Sequence, residues 1–232
     1  LGGSVAFETK SGSEMLENGK NYGARVSSTY NSNDSIGGSL SGFGKLSEDS
    51  DFLIYHNHLN KNNWKDGRGV ETFGTEGKVD NTLLKVASKL DDNNKISLSY
   101  DRLKDAGDYT PRPDFGRDYN YFRTQDYTFD TEYLRETITF KHEVDLGDNL
   151  RLDTSIYSNE NELERYEILD GTTPVRPPIG IDDNTKGLLN GKVKTLGINT
   201  KAQTNLDFGD TFHTLTYGAL YDKQTSKVKW SG

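Results

Sequence analysis

The stretch Thr195-Leu196-Gly197-Ile198-Asn199-Thr200-Lys201-Ala202-Gln203-Thr204-Asn205-Leu206-Asp207-Phe208 decides how the rest of the chain is read. Leu196, Ile198, Ala202, Leu206 and Phe208 fall on alternate positions together with Thr200 and Thr204, while Asn199, Lys201, Gln203, Asn205 and Asp207 fill the positions between. Side chains of a β-strand point to opposite faces in turn, so a period of two gives one apolar and one wet face, where a helix would need a period of 3.6. Three further segments split in the same way. Ile96, Leu98 and Tyr100 stand against Ser97, Ser99 and Asp101; Leu134, Ile138, Phe140 and Val144 against Arg135, Thr137, Thr139 and Lys141; and Leu150, Leu152 and Ile156 against Arg151, Asp153 and Ser155. The alternation recurs at about the length, roughly 9 to 11 residues, that carries a tilted strand across a bilayer.

Working outward, Tyr22, Ala24, Val26 and Tyr30 mark another strand, as do Leu84, Val86 and Leu90, and Leu215, Tyr217, Ala219 and Tyr221 opposite Thr214, Thr216 and Asp222. Residues 35 to 46 are Gly-rich with Phe43 off the Leu40 face, and residues 51 to 59 carry apolar groups on both faces; both read as strands without assigned faces. The expectation is nine strands. Their connections alternate after the first hairpin, Asn31 to Asp34. Short turns lie at Leu46 to Ser50, Asp91 to Asn94, Asp145 to Asn149 and Asp207 to Thr211, and long polar segments at about 60 to 81, 103 to 132 and 159 to 193. The short turns are rich in Gly, Asn and Asp, which accept positive φ. Tight turns on one side and long loops on the other are the asymmetry of a membrane barrel, whose outer loops meet the ligand. Tyr22, Tyr30, Phe208, Tyr217 and Tyr221 sit near strand ends, where interfacial girdles lie.

Composition agrees with this period. Among 232 residues only 31% are hydrophobic and Gly numbers 24, so a large two-sided core is not expected, and no window approaches the roughly 18 consecutive apolar residues of a membrane helix, which excludes helical insertion. Barrel strands average to a polar composition because lipid-facing and lumen-facing residues alternate. With no cysteine there are no disulfides or thiolate metal sites. The net charge of −8, spread along the chain, argues against nucleic acid as a partner. The chain starts at Leu1 without an initiator Met or signal peptide and stops at Lys229-Trp230-Ser231-Gly232 without a closing element; it reads as an excised segment.

The first ten residues, Leu1-Gly2-Gly3-Ser4-Val5-Ala6-Phe7-Glu8-Thr9-Lys10, resemble the end of the plug domain of TonB-dependent outer-membrane receptors, where a Gly-Gly pair precedes a final alternating strand ending in Thr-Lys. A short polar stretch, Ser11 to Asn21, then leads to Tyr22-Gly23-Ala24-Arg25-Val26, which is similar to the first barrel strand of that family. Leu103 to Tyr109 and His213 to Gly218 look like its strand-to-loop passages, particularly those of the haem, haemoglobin and siderophore branches. The resemblance implies an all-β, antiparallel up-and-down transmembrane barrel segment, about nine strands of a 22-stranded barrel, and an open curved sheet if alone. It implies residues 1–11 as the last plug strand, 12–21 as the linker and 22–232 as the N-terminal part of the barrel. It further implies TonB-energised uptake of an iron complex, haem or a ferric siderophore, as ligand rather than as covalent cofactor. The partners would be TonB through a region before Leu1, an extracellular iron complex or iron-carrying protein, and outer-membrane lipid. A passive porin or an adhesin's membrane anchor is the alternative, since it shares the alternation and the loop asymmetry.

No catalytic set stands out: there is no cysteine, four His are scattered, and no Gly-rich phosphate loop opens a helix, so the chain reads as a non-enzyme. His56 and His58 project to one strand face, compatible with metal ligation, but no third ligand is evident and a polar strand surface is the preferred reading. His142 and His213 fall on apolar faces near short turns. The haem-binding His residues that the resemblance implies lie in the plug and in a loop beyond this segment, so none is carried over. The candidate ligand-binding loop is Asp108 to Tyr133, where Arg112, Arg117 and Arg123 stand among Tyr109, Tyr119, Tyr121, Phe122 and Tyr127. Arg supplies forked donors for carboxylates, and Tyr a flat face with a hydroxyl; a solvated loop packing on its neighbours is the plainer reading. Arg25, Asp101, Arg135, Lys141, Arg151, Asp153 and Lys201 are expected to face the lumen, because charge directed into lipid is costly. Glu136, which shares an apolar face, is expected above the membrane.

Overall fold

A computed structural model of the chain describes residues 9–72, 74–109, 128–147, 150–168 and 186–231. Nine long strands form one antiparallel meander in which every strand pairs with its neighbours in sequence. These are β1 (Tyr22–Tyr30), β2 (Ile36–Lys45), β3 (Ser50–Lys61), β6 (Gly77–Lys89), β7 (Asn94–Tyr109), β8 (Phe129–Asp145), β9 (Arg151–Ile168), β10 (Lys186–Asp207) and β11 (Phe212–Ser231). Between β3 and β6 a small hairpin of β4 (Trp64–Lys65) and β5 (Glu71–Thr72) stands apart from the main sheet. Among the described residues the only helical element is a 3-10 turn at Ser13–Met15. The expected nine strands are all present, and β1 and β11 form the open edges.

Register shows how the alternation becomes a surface. Phe52, Val86, Leu98, Phe140, Ile156, Ile198 and Tyr221 are successive cross-strand partners from β3 to β11, and form one apolar row over seven strands. Leu98 is 55% exposed and Tyr221 68%. An apolar surface this continuous and this open marks contact with something other than water. The opposite face carries Lys85, Ser97, Asp101, Arg135, Lys141, Asp153 and Lys201 around a concave tract of about 750 Å³ that also touches Thr9. The concavity identifies this as the inner face. By parity of register, Arg25 and Arg151 join it, so all seven charges expected in the lumen point there.

The two segments without assigned faces now have them. Leu40 faces outward beside Val26, whereas Phe43 and Leu53 pair on the inner face and are buried. Phe43 lies over Gly23, where a Cβ would strike its ring. Residues 51 to 59 look two-sided because this inner corner is apolar.

The row through Lys45 and Asp51, beside the β2–β3 turn, continues through Ala87, Ser97, Lys141 and Ser155 to Asn199, eight residues before the last β10 pair, Asp207 with Phe212. Each short turn is thus set further along than the one before. Such stagger is what a tilted, closing sheet requires.

The expected long loops are shorter than read. Residues 77–81, 103–109, 129–132, 159–168 and 186–193 belong to strands, so β10 runs 22 residues, about twice what a bilayer needs. In β9, Asn159-Glu160-Asn161-Glu162 is polar on both faces and carries no hydropathic period. Cross-strand pairs hold it instead: Lys192 pairs with Glu160 and, at 3.7 Å, with Glu162. On the same outer face Lys104 Nζ lies 2.7 Å from Glu132.

Candidate functional site

The N-terminal segment enters the lumen beside β3. Asp51 is almost buried, and its two carboxylate oxygens accept the Gly12 N–H at 2.7 Å and the Ser13 hydroxyl at 2.6 Å. A Cβ on Gly12 would collide with the Phe52 carbonyl, so the backbone approaches β3 as closely as glycine allows. Ser11, also buried, donates its N–H to Glu14 at 2.7 Å, and Lys85 Nζ reaches the Thr9 carbonyl at 2.6 Å. A carboxylate desolvated in this way is stabilised by charge-assisted donors, and each such bond is stronger than a neutral one. Buried backbone donors need partners: Asp51 of the barrel wall supplies the one for Gly12, and Glu14 of the segment itself the one for Ser11.

Further up the wall, Arg135 meets Asp101 at 2.9 Å, and Lys141 lies 3.1 Å from Glu143 and 3.9 Å from Asp153. The tract is therefore hydrophilic, lined by Ser97, Ser99, Thr137 and Thr139, and its cations Lys85, Arg135, Lys141 and Lys201 outnumber its acids Asp101 and Asp153.

At the far end of β3 and β7 a second cluster gathers. Lys61 Nζ contacts both oxygens of Asp105 at 2.9 Å, the Tyr109 hydroxyl donates to the same carboxylate, and Lys61 Nζ stands 4.8 Å from the centre of the Tyr109 ring. Gly77 and Gly107 leave room for that ring, since a Cβ on either would strike it. Burial, then the bonded Asp105 carboxylate, pushes the Tyr109 hydroxyl pKa upward, so it remains a donor. Two strands away the Arg165 guanidinium lies 5.7 Å from the Phe129 ring, Tyr133 donates to Asn161 at 2.7 Å, and Arg165 Nε is buried without a hydrogen-bond partner among the described residues.

Of the sequence-selected ligand residues, only Tyr109 falls among the described residues, and it sits in this cluster. Arg112, Arg117, Arg123, Tyr119 and Tyr121 lie outside the described residues. The reading from sequence missed Lys61, Asp105, Phe129 and Arg165. Lys61, Asp105 and Arg165 lie where polarity on both faces concealed the strands, so no period flagged them.

His58 Nδ1 is 2.7 Å from Asp80, and His56 Nδ1 is 3.0 Å from the Thr82 hydroxyl, both on the outer face. Among the described residues no group of three His, Cys, Asp or Glu side chains could hold a metal ion. His142 is bonded to Asn94 at 3.0 Å, and His213 stacks edge-on with Phe208 at 5.7 Å. Glu136 lies on the outer face where apolar rows end, accepting the Tyr100 hydroxyl, with Arg102 at 3.8 Å.

A staggered antiparallel meander with an apolar outside, a hydrophilic inside and an N-terminal segment docked within defines the wall of a large β-barrel. No family model matches the chain. It is 28% identical over 172 residues to the heme transporter BhuA of Brucella ovis, and equally to that of Brucella abortus, matching 73% of this chain and 25% of theirs. Its fold is that of the FrpB iron transporter from Neisseria meningitidis. The F3-3 variant aligns with a TM-score of 0.71 at 22% identity, covering 91% of this chain and 32% of that one, and the F5-1 variant with 0.69 at 20%, covering 95% and 34%. The resemblance to TonB-dependent outer-membrane receptors is borne out. The chain spans about a quarter of the length of the haem transporters it matches.

Proposed function

We propose that the chain is the N-terminal part of the barrel of an outer-membrane receptor that takes up an iron complex, haem or a ferric siderophore, with energy delivered by TonB. In this reading residues 1–11, of which 1–8 lie outside the described residues, are the last strand of the plug, 12–21 the linker and 22–232 the barrel wall. The observation that carries the reading is the coupling of an outward apolar row over seven strands to an inner face on which Asp51 grips the segment leading into β1. A passive pore has no need to tie an upstream segment inside its wall. Similarity to heme and iron transporters supports iron complexes as the cargo class.

In this reading the ligand first meets the loop bearing Arg112, Arg117, Arg123, Tyr119 and Tyr121, and passes the wall cluster of Tyr109, Lys61 and Arg165. Cations and aromatic faces together suit a flat or chelated iron complex carrying carboxylates. The role is binding and passage, without bond chemistry.

The test uses the intact receptor in cells starved of iron. Growth on haem or on a ferric siderophore is expected to require both the receptor and TonB, and joint replacement of Arg112, Arg117 and Arg123 by alanine is expected to weaken ligand binding at least about tenfold, the size expected for losing charge-assisted bonds. Uptake that persists without TonB would turn the assignment toward a passive barrel. Unchanged affinity in the triple variant would remove the loop from the ligand site.

A further inference from the structure

We propose that Arg165, seated over the Phe129 ring on the inner wall, is the receptor for a carboxylate carried by a flat conjugated ligand, an inference that rests on the proposed function and narrows its cargo. β9 is an interior strand, paired along both sides, so the wall around Arg165 is complete. Register sets Arg165 between Thr131 on β8 and Leu189 on β10. Phe129 and Tyr133 flank Thr131 on the same face, and Leu163 precedes Arg165 on β9. None of these neighbours carries a carboxylate. The nearest acid among the described side chains of these inner rows is Asp105, opposite Tyr133 on β7, and it already holds Lys61 and the Tyr109 hydroxyl.

Two observations turn this gap in the charge pattern into a site. Arg165 Nε is buried without a hydrogen-bond partner among the described residues, a state that costs free energy until an acceptor arrives. The guanidinium is held 5.7 Å from the centre of the Phe129 ring, within reach of a cation–π attraction that fixes its place and leaves its forked N–H edge to match a planar carboxylate. The hydroxyls nearby are engaged, Thr131 donating to the Phe129 carbonyl at 2.9 Å and Tyr133 to Asn161 at 2.7 Å. The remaining floor is apolar, made by Phe129, Leu163 and Leu189, and Gly191 opposite Leu163 borders open space, with nothing within 4 Å of where its Cβ would stand. One unmatched cation at the edge of an apolar floor fits a flat hydrophobic ring with an acidic rim. An iron chelate wrapped in oxygen donors would leave that floor unused.

The test titrates the full-length protein with haem and with haem dimethyl ester, which keeps the ring and loses both carboxylates, and follows the absorbance of the bound ring. The wild type is expected to prefer haem about tenfold, the size of one charge-assisted bond. Arg165→Gln is expected to lose that preference while binding the ester as the wild type does, and Arg165→Lys to keep part of it. Unchanged ester binding also shows that the variant is folded. Glu167→Gln, which removes the acid two residues further along the sequence, is expected to leave the preference intact. Equal losses for haem and ester in Arg165→Gln, or a preference abolished by Glu167→Gln, would overturn the proposal. A wild type that binds a ferric siderophore and not haem overturns it as well but leaves iron uptake standing. One that binds neither brings down the proposed function with it.

Discussion

Asp51 shows how one side chain ties a flexible stretch to a rigid wall. Its carboxylate is nearly out of water and accepts two donors from Gly12 and Ser13. Asp51→Ala leaves a buried N–H without a partner, and is expected to cost about 2 kcal/mol and to open the linker to trypsin at Lys10 and Lys20. Cleavage rates equal to wild type would show that the grip holds nothing. Gly12→Val is expected to have the same effect by a different route, because its Cβ meets the Phe52 backbone, which has no room to retreat. Lys61 and Asp105 are partly exposed, at 19% and 30% of their side-chain surface. Lys61→Met is therefore expected to destabilise the protein by about 1 kcal/mol, between the values for surface and buried pairs, measured as a lower urea midpoint. None of Gly12, Asp51, Lys61 or Asp105 was singled out from sequence, since a single charge has no period and its partner lies on another strand.

Strands and hairpins are where sequence reading worked best and where its limit is clearest. Strict alternation in Thr195 to Phe208 located β10, but only its lower half, because above Leu196 the outward positions become Lys194, Lys192 and Asn190 and the contrast between faces vanishes. Glycine plays a matching role between strands: Tyr157 lies across Gly197 and donates to Asp222 on β11. Gly197→Val is expected to eject that ring and weaken the β9–β11 contact by about 1 to 3 kcal/mol, read as faster amide exchange in β11. Unaltered exchange would show that the ring has other room. The β4–β5 hairpin has its own chemistry. The Val70 and Arg68 N–H groups donate to Asp66 at 2.9 and 2.8 Å, with the Arg68 side chain beside it, and hold its carboxyl below the ordinary 3.8. A carboxyl lowered in the folded state contributes its full stabilisation above the ordinary value and loses it as pH falls from there through the folded pKa. Protection of the Val70 amide is thus expected to be constant above about pH 5 and to fall below about pH 4, with Asp66→Asn removing the pH dependence.

At the scale of the whole molecule, the sheet has two unpaired edges, β1 and β11. Hydrocarbon offers no partner to the free N–H and C=O groups of those edges. The 232-residue chain is therefore expected to remain protease-accessible when mixed with lipid vesicles, while the full-length protein becomes protected; stable insertion of the chain alone would refute this. Composition and period were enough to determine the class of fold, the number of strands and the set of charges facing inward, because alternation is local and each strand writes it independently. Leu40, Phe43, Leu53 and Ile54 could be given faces only by register, since an apolar residue fits either side of a wall whose inner corner is itself apolar. The stagger of the turns, the grip of Asp51 on Gly12 and Ser13, and the seating of Arg165 over Phe129 were likewise decided by tertiary structure. Each depends on which residues from distant parts of the chain come to stand side by side, and that is settled by cross-strand hydrogen bonding and packing, which no single strand encodes.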